Sequence, residues 1–379
     1  MIKWLFKYGA IIFLFNTVLL SIKSTYFIGG QIFLLLMGVF LFLLLINPKQ
    51  IKKILFHKAF SFLLILNIIN IVYFLFFHKI SDYDAIKYIM ARGVQFSIIS
   101  ISIYYNYEYY KLKFLYHISY FVFGIVAISF VLDPFIFSER YSGIIWNPNE
   151  FSSVSVIGFS AVLFNYKKKT NFDFFLLILF LIFSFLSGSR GVLLAVPLAY
   201  FLKYGFSKRN IIYMLFFIVI CLWIISLQID TSINRFATQG LFNDRLFQYQ
   251  YAYETLMQKP FFGYGLDKYS YIDLFVVPKH LKNIIIGAHN GYLSILVQYG
   301  FLFGSLVLGI VLRKVFLLTI NYYTMKDHES NFYIFILIYT LFASFYESLM
   351  TGVNGFHTAL FWFALSFLSY SKLRKSDVI

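Results

Sequence analysis

Most of the chain consists of apolar runs of membrane-spanning length, separated by short polar loops. A spanning helix needs about 20 mostly apolar residues, and by that rule about twelve runs qualify. They cover residues 4–22, 27–46, 59–77, 88–105, 114–132, 151–165, 172–186, 192–202, 211–227, 291–312, 332–349 and 358–370. The pattern therefore predicts an all-α polytopic membrane protein that forms a single integral membrane domain over residues 1–379.

One long segment departs from this pattern. Residues 229–290 form a polar loop between the ninth and tenth predicted spans. Apolar side chains in its 243–259 portion recur at helical spacing, as Leu246, Tyr249, Tyr253 and Leu256. This periodicity predicts an amphipathic helix on the membrane surface, with Arg245 in its first turn and Pro260 after its end. A polar island in a lipid-soluble chain is where chemistry can meet water, so we look for function there.

Composition and charge agree with a membrane protein. Charged residues make up 13% of the 379 residues, whereas soluble domains carry about 25%. The net charge of +16 could suggest nucleic acid as a partner. The basic residues, however, cluster in short loops between apolar runs, as they do in cytoplasmic loops of membrane proteins. We therefore expect membrane lipid, and no nucleic acid, as a partner.

The distribution of basic residues also predicts the orientation. If the N-terminus is inside, the inner segments hold 20 of the 32 lysines and arginines, while the short outer loops hold Lys23, Lys79, Lys87, Arg140 and Arg190. Long loops do not count in the positive-inside rule. Both termini are thus predicted to be cytoplasmic, and the 229–290 loop is predicted to face the periplasm or the cell exterior.

Several kinds of chemistry lack their sequence signatures. There is no G-x-x-x-x-G-K-[ST] motif, which argues against an ATP-driven pump. The seven histidines show no paired spacing such as H-E-x-x-H, and the chain holds only 16 acidic residues, so we expect neither a metal site nor a cofactor. Few acidic residues lie near span ends, Glu347 and Glu150 among them, which gives little support to a proton-coupled transporter.

What remains is a set of outward arginines and one histidine: Arg140, Arg190, Arg245 and His289. Arg190 and Arg245 lie at predicted helix N-termini, whose positive dipole end favours an anion near the arginine. Arginine forks suit phosphate oxygens, and a histidine suits proton transfer. Together they describe a site that holds a diphosphate while a hydroxyl attacks beside it. The alternatives are that Arg190 extends to lipid phosphates and that His289 is an interfacial or capping residue.

A second outer feature is the loop between residues 133 and 150. It contains Asn147-Pro148-Asn149, and Asn-Pro is a turn signal. Asn149 could cap the following helix, or the loop could contact substrate.

These residues resemble the O-antigen polymerase and O-antigen ligase superfamily of bacterial surface-polysaccharide assembly. The resemblance rests on motifs in a common order: Arg140-Tyr141-Ser142-Gly143, Asn147-Pro148-Asn149, Ser189-Arg190-Gly191, Arg245, Ala252, Pro260, Gly263-Tyr264-Gly265, His289-Asn290-Gly291-Tyr292-Leu293 and Tyr299-Gly300. One departure is Tyr249, where the superfamily often has tryptophan.

The resemblance implies metal-independent, inverting glycosyl transfer at the periplasmic face of the inner membrane, with undecaprenyl-diphosphate-linked oligosaccharide as substrate. It implies that Arg190 and Arg245 bind the diphosphate and that His289 positions or deprotonates the acceptor hydroxyl. These three are the predicted catalytic residues. The predicted substrate-binding residues are Arg140, Asn147, Asn149, Asn290 and Tyr249. A chain-length regulator is a candidate protein partner.

Two activities fit this resemblance. A polymerase joins repeat units on the lipid carrier, whereas a ligase moves the glycan to another acceptor such as lipid A-core; we favour the polymerase. A polysaccharide-unit flippase would also have about twelve spans, but it would need charges lining a central cavity. Arg92 alone lies deep in a predicted span, so the flippase is the weaker alternative.

Overall fold

The computed structural model describes residues 2–136, 140–165, 168–226, 245–283, 285, 287–325 and 330–376. In these residues the chain is helical without β-strands, and a single isolated antiparallel bridge joins Ile22 and Ile145. The helices are α1 (Ile2–Leu19), α2 (Tyr26–Ile46), α3 (Pro48–Leu55), α4 (Ser61–Phe77), α5 (Tyr83–Leu112), α6 (Phe114–Leu132), α7 (Pro148–Phe164), α8 (Asn171–Leu186), α9 (Val192–Tyr204), α10 (Lys208–Ser226), α11 (Arg245–Gln258), α12 (Gly291–Met325), α13 (Asn331–Ala343) and α14 (Phe356–Ser376).

The predicted all-α class is confirmed, and each predicted span overlaps one of these helices. Among the described residues, four helical stretches are long and apolar enough to cross a membrane: Tyr26–Ile46, Tyr83–Leu112, Phe114–Leu132 and Gly291–Tyr323. Four further apolar helices are shorter. The count of twelve spans and the periplasmic position of the long loop stay predictions. The first part of that loop, residues 229–244, and the predicted helix start at residue 243 lie outside the described residues.

Two helices, α5 and α7, organise the packing. Helix α5 contacts α1, α14, α2 and α4, while α7 contacts α6, α8, α9 and α13. Both carry serines in their buried faces, and Ser100 on α5 donates to the Phe96 carbonyl of its own helix at 2.8 Å. Such back-bonding satisfies a hydroxyl without a partner on another helix. Small polar residues can therefore lie at close helix contacts inside an apolar core.

The start of α7 corrects one prediction. The N-cap is Asn147, whose side chain accepts from the Asn149 backbone N–H at 2.8 Å. Asn149 is the second helical residue and not the cap. The reason is Pro148, because proline is favoured at the first helical position and leaves the residue before it as the cap. The side chain of Asn149 is thereby available for other contacts.

A kink in α12 receives the segment that follows α11. Gly300 has φ +71°, and Tyr264 and Gly265 donate to the carbonyls of Val297 and Gln298 at 2.9 and 3.0 Å. Phe301 in turn donates to the Pro260 carbonyl at 2.6 Å. A Cβ on Gly300 would lie 2.3 Å from Phe261 backbone atoms. Glycine is therefore required here both by conformation and by contact, and the kink anchors α11 to α12.

The buried face of α11 differs from the predicted stripe. Its buried residues are Tyr251, Ala252, Thr255 and Leu256, whereas Leu246 and Tyr253 are 61% and 52% exposed. The helix exists as predicted, but of the predicted stripe only Leu256 is buried, and Tyr249 is half-buried. An outward apolar edge of this kind fits a helix that also touches lipid.

The predicted span 332–349 ends early. Helix α13 stops at Ala343, and residues 344–355 form a loop before α14. We call residues 344–355 the hub loop. It is built from turn formers, including Gly352, Asn354 and Gly355, and from Ser344, Ser348 and Thr351. Such a cluster ends a helix, and the hub loop forms one wall of the site described next.

Candidate active site

Three consecutive carbonyls of the hub loop accept hydrogen bonds from α11 and from the start of α12. Ser344 O accepts from Gly291 N at 2.7 Å. Phe345 O accepts from the Tyr249 hydroxyl at 2.5 Å and from Asn290 Nδ2 at 3.1 Å. Tyr346 O accepts from Arg245 Nη1. The hub loop is therefore held against α11 and against the end of the long polar segment, and Glu347 follows directly.

Glu347 joins three polar side chains from three elements. Its Oε1 accepts from Arg245 Nη2 at 2.8 Å and from Asn149 Nδ2 at 3.0 Å. Its Oε2 lies 3.4 Å from His289 Nδ1. The carboxylate is half-buried, and Arg245 is 14% exposed. Two charge-assisted contacts at low exposure are stronger than surface ion pairs, so Glu347 holds α7, α11 and the start of α12 in one arrangement.

His289 stands in a strained backbone position. Its φ is +39°, a left-handed conformation that non-glycine residues rarely adopt. The next residue, Asn290, caps α12 by accepting from Tyr292 N at 3.0 Å and Leu293 N at 2.9 Å. The cap explains the turn, because α12 begins at Gly291 and the chain must enter it through residue 289. Backbone strain of this kind is common at functional sites, and here it directs the imidazole toward Glu347.

Arg190 lies just before α9, as predicted. The adjoining Gly191 packs against Tyr346 so closely that a Cβ there would lie 2.7 Å from the Tyr346 hydroxyl. Arg245 lies over the Tyr346 ring, with its guanidinium carbon 5.5 Å from the centroid. Tyr346 thus connects the Arg190 turn to Arg245. The charges of Arg190 and Arg245 both act to lower the pKa of the Tyr249 hydroxyl.

Arg140 reaches the same network through Asn149. Its Nη2 donates to Asn149 Oδ1 at 2.6 Å, and its Nε donates to Ser187 O at 3.3 Å. Asn149 in turn donates to Glu347. The side-chain amide oxygen and nitrogen of Asn149 therefore link the loop before α7 to the hub loop. Arg140 is placed to support this arrangement and to hold the end of α8.

The electrostatics favour an ionised Glu347. Desolvation acts to raise its pKa, but the hydrogen bond from His289 and the charge of Arg245 outweigh it, so the pKa is lowered from the ordinary value. Desolvation raises the pKa of Tyr249 to about 12; Arg245 lowers it, Glu347 raises it and Arg190 lowers it. At neutral pH the Glu347 carboxylate thus lies beside the Arg245 guanidinium, while Tyr249 stays a neutral donor.

A cavity of about 570 Å³ opens beside this wall. Its lining includes Ser189, His289, Tyr346 and Glu347, and it continues to Asn147 and Asn149 at the start of α7. Small-molecule sites have volumes of roughly 300–1,000 Å³. At the cavity's α14 side, His357 has both ring nitrogens occupied, by Ser153 Oγ at 2.7 Å and Thr340 Oγ1 at 2.8 Å. His357 is therefore a structural residue, whereas no hydrogen bond to His289 Nε2 is found among the described residues.

Glu150 also lines the cavity. It lies in the first turn of α7, before the predicted span that starts at residue 151. The side chain is accessible through the cavity, yet the surrounding protein desolvates it. This desolvation and the neighbouring charge of Glu347 raise the pKa of Glu150 to about 7. Two carboxylates in one cavity thus have pKa values shifted in opposite directions, an arrangement found where acid and base roles differ.

The structure brings most of the predicted residues to one place. Arg245, His289 and Asn149 contact Glu347, Arg140 contacts Asn149, and Asn147 caps the helix that carries Asn149. Asn290 and Tyr249 use their polar atoms on helix α12 and on the hub loop, which supports the site without showing a contact to substrate. Glu347 was missed as a site residue, although an acid followed by turn formers at a span end was a usable signal.

A cluster that the histidine spacing did not predict lies away from this cavity. His78, Asp82 and Asp267 bring potential metal-ligand atoms within 4.8 Å of one another. These atoms have protein partners: His78 Nδ1 contacts Asp82 at 2.6 Å, His78 Nε2 accepts from Leu266 N at 3.1 Å, and Lys268 contacts Asp267 at 2.6 Å. We assign the cluster to fixing the α4–α5 turn against residues 265–268.

Comparison with known families identifies part of the chain. Residues 175–308 match the family model described as O-Antigen ligase, which confirms the resemblance to the O-antigen polymerase and ligase superfamily. The matched segment runs from α8 into α12 and contains Arg190, Arg245 and His289, but it ends before the hub loop. No curated protein matches the chain at a significant level.

Proposed function

We propose that this chain of the O-antigen polymerase and ligase superfamily is a polymerase of bacterial surface polysaccharide. It would join oligosaccharide repeat units linked to undecaprenyl diphosphate, at the periplasmic face of the inner membrane. The single observation that supports this site is the carboxylate of Glu347, which contacts Arg245 at 2.8 Å and faces His289 at 3.4 Å. It joins an anion-binding group, Arg245, to a proton acceptor, His289, and both Glu347 and His289 line the cavity.

In the proposed mechanism the arginines bind the donor's diphosphate. Arg245 uses two of its N–H groups on the hub loop, and a guanidinium has five, so donors remain for a ligand. As the bond between the sugar C1 and the diphosphate oxygen breaks, the electron pair stays with the diphosphate. Guanidinium groups placed beforehand stabilise this growing charge more than the ground state.

His289 would accept the proton of the attacking hydroxyl. With Nδ1–H directed toward Glu347, the Nε2 atom is unprotonated and can take the proton while the acceptor oxygen bonds to C1. The imidazolium that forms is stabilised by the Glu347 carboxylate, as in other carboxylate–histidine pairs. The distance of 3.4 Å is long, and catalytic hydrogen bonds commonly shorten when substrate binds. No metal takes part in this proposal.

The choice of polymerase over ligase concerns the acceptor. Both reactions break the same sugar–diphosphate bond, so both need the same arginines. A polymerase admits a second lipid-linked repeat unit, whereas a ligase admits a different acceptor such as lipid A-core. The description of the matched family as O-Antigen ligase keeps the ligase as the second candidate.

The distinguishing experiment is the glycan pattern of a deletion strain. If the chain is a polymerase, its loss leaves surface glycan capped with a single repeat unit. If it is a ligase, its loss leaves full-length polymer on undecaprenyl diphosphate and none on the core. Complementation with the intact gene and with His289→Ala is the matched pair of controls, because only the first should restore long chains.

A further inference from the structure

The cavity beside His289 has a second, aromatic part. Its lining includes Tyr26 at the start of α2, Trp146 just before α7, and Tyr269 in the loop after α11. These side chains are 60%, 59% and 52% exposed. They come from three separate segments of the chain, yet they border the same space as Glu347 and His289.

The backbone that carries Trp146 is fixed, although its ring is exposed. Trp146 N donates to Ser21 O at 2.9 Å, and Lys23 N donates to Ile144 O at 3.1 Å, on either side of the Ile22–Ile145 bridge. Ile22 and Ile145 are buried. The α1–α2 turn and the strand-like segment before α7 therefore hold each other, and they leave the indole in the open. The pairing of these two segments therefore does not bury the indole.

Tyr269 is placed next to the reacting groups by its neighbour. Ser270 has a φ of +57°. Its hydroxyl lies 2.9 Å from Ser348 Oγ, and its backbone carbonyl accepts a hydrogen bond from Ala288 N at 3.2 Å. Ser348 follows Glu347 and Ala288 precedes His289. These contacts connect Tyr269, and with it the aromatic part of the cavity, to the wall formed by His289 and Glu347.

The chemistry of this lining suits a sugar. Rigid aromatic rings present large faces at little entropic cost, and the C–H faces of pyranose rings pack against such surfaces. The polar groups Ser21, Asn147 and Asn354 border the same cavity and could bond hydroxyls. A cavity with an aromatic lining and a few convergent polar groups is the usual form of a small-molecule site. Aromatic residues also form belts at membrane interfaces, but a belt faces lipid headgroups and not a polar cavity.

We propose that Tyr26, Trp146 and Tyr269 form a binding subsite for the acceptor oligosaccharide, which presents its hydroxyl to His289. This inference rests on the proposed function, and it adds the acceptor's position to it. The donor diphosphate belongs to the Arg190 and Arg245 side of the wall, so the aromatic part receives the second sugar chain.

The test measures glycan binding without turnover. The His289→Ala protein, purified in lipid nanodiscs, is titrated with reducing oligosaccharide repeat units released by mild acid from the source cells' own surface polysaccharide. This probe lacks both lipid and diphosphate. We expect saturable binding that weakens about tenfold or more in Trp146→Ala and in Tyr269→Ala, and that is largely kept in Trp146→Phe. Trp4→Ala, which removes a tryptophan that is 54% exposed on α1, should bind as the parent does.

Each outcome decides the inference. Equal affinity in the parent, Trp146→Ala and Tyr269→Ala, or no binding in any of them, overturns it. Should Trp146→Ala unfold, as shown by its thermal transition, Tyr26→Ala supplies the same test because its ring is exposed. Failure of the proposed function would show separately, as long glycan chains in cells that carry only His289→Ala.

Discussion

His289 and Glu347 face each other across the cavity wall, with Nδ1 and Oε2 separated by 3.4 Å and 58 residues of chain. The other carboxylate oxygen is already bonded to Arg245 and Asn149. A change at Glu347 therefore acts on the histidine, on an arginine and on the start of α7 together. This makes Glu347 the most informative position for mutation.

Replacing Glu347 with glutamine should impair turnover far more than substrate binding. Glutamine keeps the shape and can still accept from Arg245, but it is neutral and cannot stabilise an imidazolium at His289. We expect kcat for polymer formation to fall by up to about 10⁴-fold, the loss seen when a carboxylate that orients a catalytic imidazole is neutralised. The measurement is the rate of chain growth with purified protein and lipid-linked repeat units, taken across pH.

The matched control is Glu254→Gln. Glu254 lies on α11 and accepts from Gln250 at 2.9 Å on the exposed surface, so its loss should leave the rate unchanged. If Glu347→Gln grows polymer at the parent rate with the parent pH profile, the role assigned to this pair is incorrect.

Alanine at Arg190, Arg245 or His289 should each abolish detectable polymer while the protein still reaches the membrane. Loss of one preorganised charge-stabilising group commonly costs about 10²–10³-fold in rate. Arg190→Lys and Arg245→Lys should rescue poorly, because lysine offers a point charge in place of a planar fork. Polymer length in cells, with membrane abundance of each variant, is the measurement.

Arg209→Lys serves as the control for the arginine changes, since Arg209 lies exposed on α10 and donates to Tyr213 at 2.8 Å. Arg140→Ala should give a weaker defect, because Arg140 reaches Glu347 through Asn149. If all three alanine variants make normal polymer, the catalytic roles proposed for Arg190, Arg245 and His289 are wrong.

Glu150 predicts a pH-dependent effect on stability. Its pKa is raised to about 7 in the folded protein, above the value of about 4.3 expected when unfolded. The folded state therefore binds this proton more tightly, and ionising Glu150 destabilises the fold as pH rises through 7. Glu150→Gln should leave the thermal transition unchanged near pH 4 and raise it at pH 8.

Thermal unfolding in detergent at both pH values is the measurement, with Glu108→Gln as control. Glu108 is exposed on α5 and pairs with Arg374 at 3.3 Å. A lower transition for Glu150→Gln at pH 8 would mean that the ionised side chain makes a stabilising contact.

Gly300→Ala should destabilise the protein and reduce activity. Its Cβ would meet Phe261 backbone atoms at 2.3 Å, in a residue whose φ is +71°, so the kink that holds residues 260–265 must open. Strain of this kind costs about 1–3 kcal/mol. Gly309→Ala on the same helix meets nothing within 4 Å and is the control. Thermal unfolding of the pair should differ, and equal transitions would show that the kink tolerates a side chain.

The helices could be predicted because membrane spans reveal themselves by length and apolar content alone. Arg190 and His289 could be placed at helix starts for a related reason. Each lies just before an apolar run that is visible in the sequence. In the structure Arg190 precedes α9 and His289 stands two residues before α12. Their catalytic roles stay proposals.

The contacts of the site could not be predicted in the same way. The hub loop begins in an apolar run in which Phe345, Tyr346 and Leu349 are typical of the end of a span, and hydropathy does not show which carbonyls face a neighbour. Glu347 meets His289 only because α13 stops at Ala343. Asn147 and not Asn149 caps α7, because Pro148 occupies the first helical position.

The distribution of basic residues predicts the side of the membrane on which the site lies, and fusions can test it. A reporter that is active only outside the cytoplasm should be active when fused at Lys268, in the loop after α11, and silent when fused at Lys168, between α7 and α8. A second reporter that is active only inside the cell should give the opposite pattern and controls for expression. The physical reason is that short basic loops are retained in the cytoplasm, whereas long loops cross the membrane largely regardless of charge. Activity outside at Lys168 and inside at Lys268 would invert the orientation and place His289 and Glu347 away from a periplasmic substrate.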